Sequence, residues 1–290
     1  MPELPEVETI VLDLKRKVLG RTFLDIWADF KKIIKKPREF GQFKKDIKNK
    51  KIKKIWRRGK NIIFNLTGDK TLLIHQKLTG HLLYGTWIMR NNKWQPKEKG
   101  PLEEKINTYI HLLFTLDNGK MLALSDLRKF AKVELWDTKE LETSEELKNL
   151  GPEPLEKGFT FENFKKCFAN KKGKIKQVLI DQTVIAGIGN IYSDEILWEA
   201  KIYPFKGVLK LSEDELKKIY QATKKILQKA IELGGESISD FRRISGEKGY
   251  FDKERKVYRK ENQKCSRCGT IIKRGKLAGR SLHFCPRCQK

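Results

Sequence analysis

Hydrophobic and polar positions alternate with two different periods along this chain. Residues 5–19 place apolar side chains three or four positions apart, which predicts a first helix. From about 21 to 136 the apolar runs become short and alternating, which is typical of strands. The clearest case is the run 110–116, which turns at 117–119 and returns at 121–124 as a hairpin. The pattern predicts an antiparallel β-sandwich.

Interruptions of this pattern divide the rest of the chain. Residues 85–107 are rich in Asn, Gly and Pro, which predicts a long loop. An acidic stretch with two prolines at 137–158 is interpreted as a linker, after which the pattern becomes helical. Ser212 and Glu215 form a capping box ahead of a helix that should end at Gly234-Gly235. We expect four parts: a domain of residues 1–136, the linker 137–158, a helical domain 159–260 and a small unit 261–290.

Four of the five cysteines lie in two tight pairs within the last thirty residues. Cys265 and Cys268 are separated by sixteen intervening residues from Cys285 and Cys288, a spacing typical of one tetrahedral zinc site. Four thiolates leave no open position on the metal, so its role should be structural. The segment between the pairs should form a two-stranded ribbon that turns near 278–279. We expect His283 at the surface rather than on the metal.

The balance of charge indicates a polyanionic partner. Lys and Arg number 63 against 37 acidic residues, a net charge of +26, and the basic residues cluster at 31–38, 44–60 and 165–176. No apolar run reaches the roughly 18 residues of a membrane span, and the chain begins with acids rather than a signal peptide. We therefore expect a cytoplasmic protein that binds nucleic acid.

The first nine residues carry the most specific candidate chemistry. If Met1 is removed, Pro2 presents a secondary amine with Glu3, Glu6 and Glu8 close behind it. A terminal amine has a pKa near ~8 against ~10.4 for lysine, so far more of it is unprotonated and able to attack an aldehyde. The alternative is an ordinary helix start, in which a proline and acidic residues suit the first turn.

Four motifs occur in one order along the chain: the opening 2–6, the Arg57-Arg58-Gly59-Lys60 segment, the turn 187–192 and the cysteine ribbon with Arg280. Together they closely resemble the bacterial formamidopyrimidine-DNA glycosylase family, and the resemblance covers essentially the whole chain. It implies an α+β fold with an N-terminal antiparallel β-sandwich flanked by helices. A C-terminal helix-two-turn-helix domain and a four-cysteine zinc ribbon, with one structural Zn²⁺, should complete it.

The resemblance also implies an activity and assigns roles to residues. The protein would be a monomeric base-excision repair enzyme at the bacterial nucleoid that removes oxidised purines from double-stranded DNA and then cleaves the abasic site. Pro2 would attack C1′ of the damaged nucleotide, and Glu3 would be the general acid that opens the sugar. Lys60 would assist β-elimination and Arg280 δ-elimination, while Glu6 would be a buried acid near the amine.

The same resemblance assigns contacts with DNA. Chemistry at C1′ needs the nucleotide turned out of the duplex, and wedge residues fill the space that it leaves. Residues 245–251 look like the loop that closes over the everted base. The chain departs from the family pattern at Lys77, Leu78, Leu127 and Tyr109. The residues matched to DNA contacts are His75, Leu78, Tyr109, Arg128, Phe130, Lys171, Asn190 and Tyr258.

Two other functions fit part of the sequence. An endonuclease VIII-like enzyme would share the proline and the fold but prefer oxidised pyrimidines; Leu4 and the 249–251 segment favour the purine enzyme. A non-catalytic zinc-ribbon DNA-binding protein would keep the charge and the ribbon. The joint presence of Pro2, Glu3, Lys60 and Arg280 argues against it.

Overall fold

The computed structural model describes residues 1–237 and 240–290. The chain forms two compact units. The first comprises Met1–Lys148 and Leu233–Tyr250, and the second comprises Asn149–Glu232 and Phe251–Lys290. The chain therefore leaves the first unit after Lys148, returns to it for a short segment and leaves it again after Tyr250.

The first unit begins with the predicted helix, α1 (Leu4–Val18), most of whose apolar side chains are buried. Short strands follow it, as the alternating pattern predicts. The remaining elements of this unit are β1 (Phe23–Ala28), β2 (Ile34–Lys36), α2 (Phe40–Ile47), β3 (Ile52–Arg58), β4 (Asn61–Leu66), β5 (Lys70–His75), β6 (His81–Gly85), β7 (Trp87–Arg90), β8 (Lys93–Pro96), β9 (Ile110–Leu116), β10 (Met121–Ser125), β11 (Lys132–Asp137), α3 (Thr138–Thr143) and α4 (Glu145–Lys148).

Nine of these strands form two sheets that share one core. The four-stranded sheet has the order β1-β9-β10-β6 and the five-stranded sheet the order β2-β11-β5-β4-β3. Their pairs are antiparallel except β2 with β11. Phe64 and Phe114, one from each sheet, belong to the same buried apolar cluster as Ile10 of α1. The predicted sandwich and its β9–β10 hairpin are confirmed.

The predicted loop at 85–107 is wrong. Strands β7 and β8 pair as a hairpin, and two 3₁₀ turns follow at Pro101–Glu103 and Lys105–Thr108. Asn91 and Asn92, which suggested a loop, form the two-residue turn itself, with φ of 49° and 57°. Asparagine tolerates this left-handed backbone, which two-residue hairpin turns require. Each strand is only four residues long, too short to give a clear alternation.

The second unit is helical with a small ribbon. Ser212 and Glu215 exchange the predicted capping-box hydrogen bonds, of 3.1 and 3.2 Å. The ribbon turns at Ala278-Gly279, as expected. Its elements are α5 (Phe161–Phe168), α6 (Ile175–Leu179), α7 (Asn190–Ala200), α8 (Glu213–Glu232), β12 (Lys273–Leu277) and β13 (Arg280–Phe284).

None of the helices in the described ranges combines the length and the apolar character needed to cross a bilayer. The longest, α8, is charged along most of one face and buries residues such as Ile219 and Leu227 on the other. This amphipathic pattern belongs to a helix that packs against protein.

Candidate active site and DNA-contacting surface

The four paired cysteines form a site that fits one zinc ion. Their sulfur atoms all lie within 4.8 Å of one another. Cys265 Sγ is 3.9 Å from Cys288 Sγ, and Cys268 Sγ is 3.5 Å from Cys285 Sγ. Zn–S bonds of about 2.3 Å in a tetrahedron place sulfurs about 3.8 Å apart. The separations are far longer than a disulfide bond of about 2.05 Å. The arrangement and the thiolate donors therefore suit a structural Zn²⁺.

His283 is buried, so the expectation of a surface position is wrong. It is 2% exposed, and both its backbone N–H and Nδ1 lie within hydrogen-bonding distance of Asp194 Oδ2, at 2.9 and 3.1 Å. The other oxygen of Asp194 accepts a hydrogen bond from Lys176 Nζ at 2.5 Å, and Lys176 also donates to Ser193. This buried network joins α6, α7 and β13. The sequence gives no signal for this network because Lys176 and Asp194 are eighteen positions apart and Asp194 and His283 eighty-nine.

Asn190 is the first residue of α7, where backbone N–H groups of a helix remain available to an anion. Its Nδ2 donates to the Ser281 carbonyl at 3.0 Å, which orients the amide beside the ribbon. Arg280 lies one residue earlier on β13 and is exposed. Lys171, in the loop after α5, is partly exposed. Asn190 and Arg280 therefore lie on adjoining elements of one unit.

Tyr258 is held by a buried carboxylate. Glu195 accepts hydrogen bonds from the backbone N–H groups of Lys256, Val257 and Tyr258, at 2.8, 3.0 and 2.8 Å. Complete burial nevertheless raises the pKa of Glu195, against the lowering effect of these hydrogen bonds. The Tyr258 ring packs edge-on against His283. The segment is therefore fixed to α7, although nothing in its local sequence indicates this.

At the start of the chain, acidic side chains are buried beside the first helix. Pro2 is buried, and Glu3 and Glu6 are 3% and 1% exposed. The Glu6 carboxylate accepts from the backbone N–H of Glu3 and from that of Glu236, both at 2.8 Å. Gly235 has φ of 84°, and a Cβ there would lie 3.0 Å from Glu6 Oε1. Glu6 thus connects the start of α1 to the returning segment.

Lys60 belongs to the same neighbourhood. It lies in the two-residue turn between β3 and β4, where Gly59 has φ of 57°, and it is 7% exposed. Burial lowers the pKa of the Met1 α-amine; the charges of Glu3 and Glu6 raise it and that of Lys60 lowers it. The fold therefore gathers the start of the chain, two carboxylates and a buried lysine in one electrostatic environment.

Two neighbouring loops expose the residues matched to the wedge. Leu78 and Phe130 are 38% and 50% exposed, so neither is a core residue. The Arg128 guanidinium lies 4.6 Å from the centre of the Phe130 ring. Buried Asp126 accepts hydrogen bonds from the Thr79 hydroxyl and from backbone N–H groups of its own loop, including Ala131 at 2.7 Å. Asp126 thus ties the two loops together, a role that nothing in its local sequence indicates.

His75 ends β5 opposite Asn61, the residue after Lys60. Its Nδ1 accepts a hydrogen bond from the Lys77 backbone N–H at 3.0 Å, so the proton of the neutral ring lies on Nε2. Burial, together with the charges of Lys77 and Lys60, lowers the pKa of His75 to about 3. Near pH 7 the ring is neutral and offers one donor.

Tyr109 precedes β9 and is partly exposed.

Family models cover nearly all of the chain. The formamidopyrimidine-DNA glycosylase N-terminal domain matches residues 1–133, the formamidopyrimidine-DNA glycosylase H2TH domain matches 150–242, and the zinc finger found in FPG and IleRS matches 262–290. The chain belongs to the formamidopyrimidine-DNA glycosylase family. The zinc-finger match agrees with the cysteine geometry above.

Individual members of the formamidopyrimidine-DNA glycosylase family align over the full length. The Pelotomaculum thermopropionicum enzyme of that name is 38% identical over 290 residues, covering 100% of this chain and 99% of that protein. A variant of Lactococcus lactis FPG in complex with Fapy-dG-containing DNA has a TM-score of 0.87 at 37% identity, with 100% of each chain covered. A MutM structure with carbocyclic 8-oxo-G-containing DNA has a TM-score of 0.86, the same identity and the same coverage.

For this member of the glycosylase family, the low pKa of His75 predicts a pH dependence of stability. An unfolded histidine takes up a proton near pH 6.5, whereas the folded ring does so only near pH 3. The unfolded state therefore binds more protons between these values, and stability should fall as the pH falls from 6.5. Between pH 7.5 and 5 the free energy of unfolding should fall by about 1–2 kcal/mol less in His75→Gln than in the wild type. Urea unfolding of both proteins at the two pH values measures this difference. An equal fall in the free energy of unfolding in the two proteins would contradict the prediction.

Proposed function

We propose that this protein is a DNA glycosylase and abasic-site lyase that removes oxidised purines, namely formamidopyrimidines and 8-oxoguanine, from duplex DNA. The observation that carries this proposal is the cluster of the chain's first amine with Glu3, Glu6 and buried Lys60. The family relatives named above bind Fapy-dG and 8-oxo-G DNA, which supports the choice of oxidised purines.

Removal of Met1 exposes the Pro2 nitrogen as the nucleophile. Burial disfavours the charged form of an amine and so increases the fraction present as the free base. Pro2 N bonds to C1′, the bond from C1′ to the base breaks, and the base leaves with a proton. Glu3 donates a proton to the sugar ring oxygen as the ring opens, which leaves an iminium between Pro2 and C1′.

The iminium then draws electrons from the sugar and the strand breaks. Loss of a proton from C2′ expels the 3′ phosphate in β-elimination, and a second elimination expels the 5′ phosphate. Lys60 assists the first step and Arg280 the second. Both cations can also form ion pairs with phosphate, which suits them to stabilising the departing phosphate groups.

The remaining residues hold the distorted DNA. Leu78, Arg128 and Phe130 enter the stack where the damaged nucleotide leaves it, and their exposure allows this. The other DNA contacts are those that the sequence resemblance assigns, at His75, Tyr109, Lys171, Asn190 and Tyr258. We retain the division into four parts, with boundaries after residues 136, 158 and 260, and the assignment of residues 245–251 as the loop over the everted base. We also retain a location at the nucleoid.

Reductive trapping tests this proposal directly. Mature protein incubated with 8-oxoguanine duplex and borohydride should form a covalent adduct whose peptide maps to Pro2, and intact mass should show Met1 absent. A non-catalytic zinc-ribbon protein would bind the duplex without an adduct. A stronger preference for thymine glycol than for 8-oxoguanine opposite cytosine would instead identify the pyrimidine enzyme.

Affinity for DNA should depend steeply on salt. The net charge of +26 implies many lysine–phosphate contacts, each of which releases counterions from the duplex. We expect the affinity for undamaged duplex to fall by about 10³-fold or more between 50 and 200 mM salt, as for proteins that make 6–10 phosphate contacts. Fluorescence anisotropy at several salt concentrations measures the slope. A flat response would contradict a phosphate-dominated interface.

A further inference from the structure

A cavity of about 650 Å³ lies in the first unit, and neither Pro2, Glu3, Glu6 nor Lys60 lines it. The end of β1, the β7–β8 hairpin and the segment that leads into β9 line it. Its volume is in the range of sites that bind small organic ligands, about 300–1,000 Å³. Of the residues assigned above, only Tyr109 reaches it. The cavity exists because the segment 85–107 is folded rather than a loop.

Two tryptophans supply aromatic surface to this cavity. Trp27 of β1 and Trp94 of β8 are both half-buried, with ring centroids 5.6 Å apart at an interplanar angle of 79°. They pack on a buried apolar cluster that contains Trp87, and this packing fixes their positions. Trp94 Nε1 is buried and has no hydrogen-bond partner in the described parts of the chain. A buried donor normally has an acceptor, so this N–H suits a ligand.

Cations surround the aromatic surface. Arg90 and Lys93 face each other across the hairpin turn, and both are exposed and line the cavity. Like charges at paired strand positions destabilise a hairpin unless an anion lies between them. Lys97 and Lys99 also line the cavity. No ion pair joins any of these four to a carboxylate among residues 1–237 and 240–290.

The acidic residues of the lining are already engaged. Asp29 Oδ1 lies 2.9 Å from His111 Nδ1. Glu103 accepts a hydrogen bond from the Gly100 backbone N–H at 2.9 Å. The cavity therefore combines flat aromatic surface with excess positive charge at its rim. Few ligand classes present a planar group and an anion together at this size.

We propose that this cavity binds a nucleotide, with the base against Trp27 and Trp94 and the phosphate against Arg90 and Lys93. Bases stack on aromatic side chains without regard to sequence, and phosphates pair with Arg and Lys. The nucleotide comes either from a single-stranded end of DNA or from the free pool. This site goes beyond the glycosylase function proposed above and does not depend on it.

Calorimetric titration with dGMP tests the site in the whole protein. We expect saturable binding that weakens about tenfold or more in Trp94→Leu, because one stacking surface is lost. Trp136→Leu is the matched control: Trp136 has a cation beside it, with Lys36 Nζ 3.6 Å from the centre of its ring, but it does not line the cavity. It should bind as wild type does. Inorganic phosphate alone should bind much more weakly than dGMP.

A duplex with a single-stranded 3′ overhang distinguishes the two sources. A loss of overhang binding in Trp94→Leu, with blunt duplex unaffected, assigns the site to DNA ends; a loss confined to dGMP assigns it to free nucleotide. The charge-reversal variant Arg90→Glu alters an exposed position and should weaken the binding of the same ligand. Equal binding of dGMP and overhang DNA by wild type, Trp94→Leu and Arg90→Glu would overturn the proposal. Borohydride trapping on blunt lesion duplex should be unchanged, so failure here leaves the glycosylase proposal untouched.

Discussion

Glu3→Gln should lower the rate of 8-oxoguanine excision by about 10²–10⁴-fold, the usual contribution of a general acid. The amide keeps the size of Glu3, which is 3% exposed, but cannot donate its proton to the sugar oxygen. An abasic deoxyribose opens spontaneously to its aldehyde, so trapping on abasic DNA should fall far less than trapping on lesion DNA. Single-turnover gel assays on the two substrates measure this difference.

Glu8→Gln is the matched control for this variant. Glu8 lies five residues after Glu3, within α1, and its carboxylate accepts a hydrogen bond from Arg57 Nε at 2.8 Å. Its loss should leave the ratio of lesion to abasic trapping unchanged. A large residue in place of Pro2, as in Pro2→Leu, should keep Met1 and abolish the Pro2 adduct. If Glu3→Gln reduced trapping on lesion DNA and on abasic DNA equally, or if the adduct mapped to Lys60, the assigned roles would be wrong.

Features fixed by neighbouring residues could be predicted from the sequence. The spacing of Val7, Ile10 and Leu14 determines the buried face of α1, and the Asp117-Asn118-Gly119 turn determines the register of its hairpin. Cysteine spacing likewise determines the sulfur cluster, because each pair needs only a short turn. Such local constraints do not depend on how the chain folds elsewhere.

Contacts between distant residues could not be predicted in this way. The Glu6 carboxylate meets the Glu236 backbone 230 positions later, and Asp126 holds Thr79 on another loop. A buried charge requires a partner, but the sequence does not say which residue the fold will bring to it. For the same reason His283 was placed at the surface: its partner Asp194 lies on α7.

Removal of zinc should have the largest structural effect, and it should be confined to the second unit. The ribbon of 261–290 buries few apolar side chains, and structural zinc contributes an apparent binding free energy of about 10–16 kcal/mol to such folds. Chelation, or Cys285→Ser, should therefore unfold β12 and β13. The ribbon contacts of Asn190 and Asp194 would be lost with them. We expect faster amide exchange in both strands and weaker DNA binding.

Cys167→Ser provides the control, because Cys167 lies on α5 outside the sulfur cluster and its Sγ donates to the Asn163 carbonyl. It should keep one zinc per chain and wild-type DNA affinity. The sandwich has its own core, so exchange of its central strands should be the same with and without metal. Retention of the ribbon's slow exchange after complete zinc loss would mean that packing on α7, including the contact between Trp198 Nε1 and Cys265 Sγ at 3.4 Å, holds it instead. Zinc would then be dispensable for the fold, and the DNA affinity of the metal-free protein would remain that of the holoprotein.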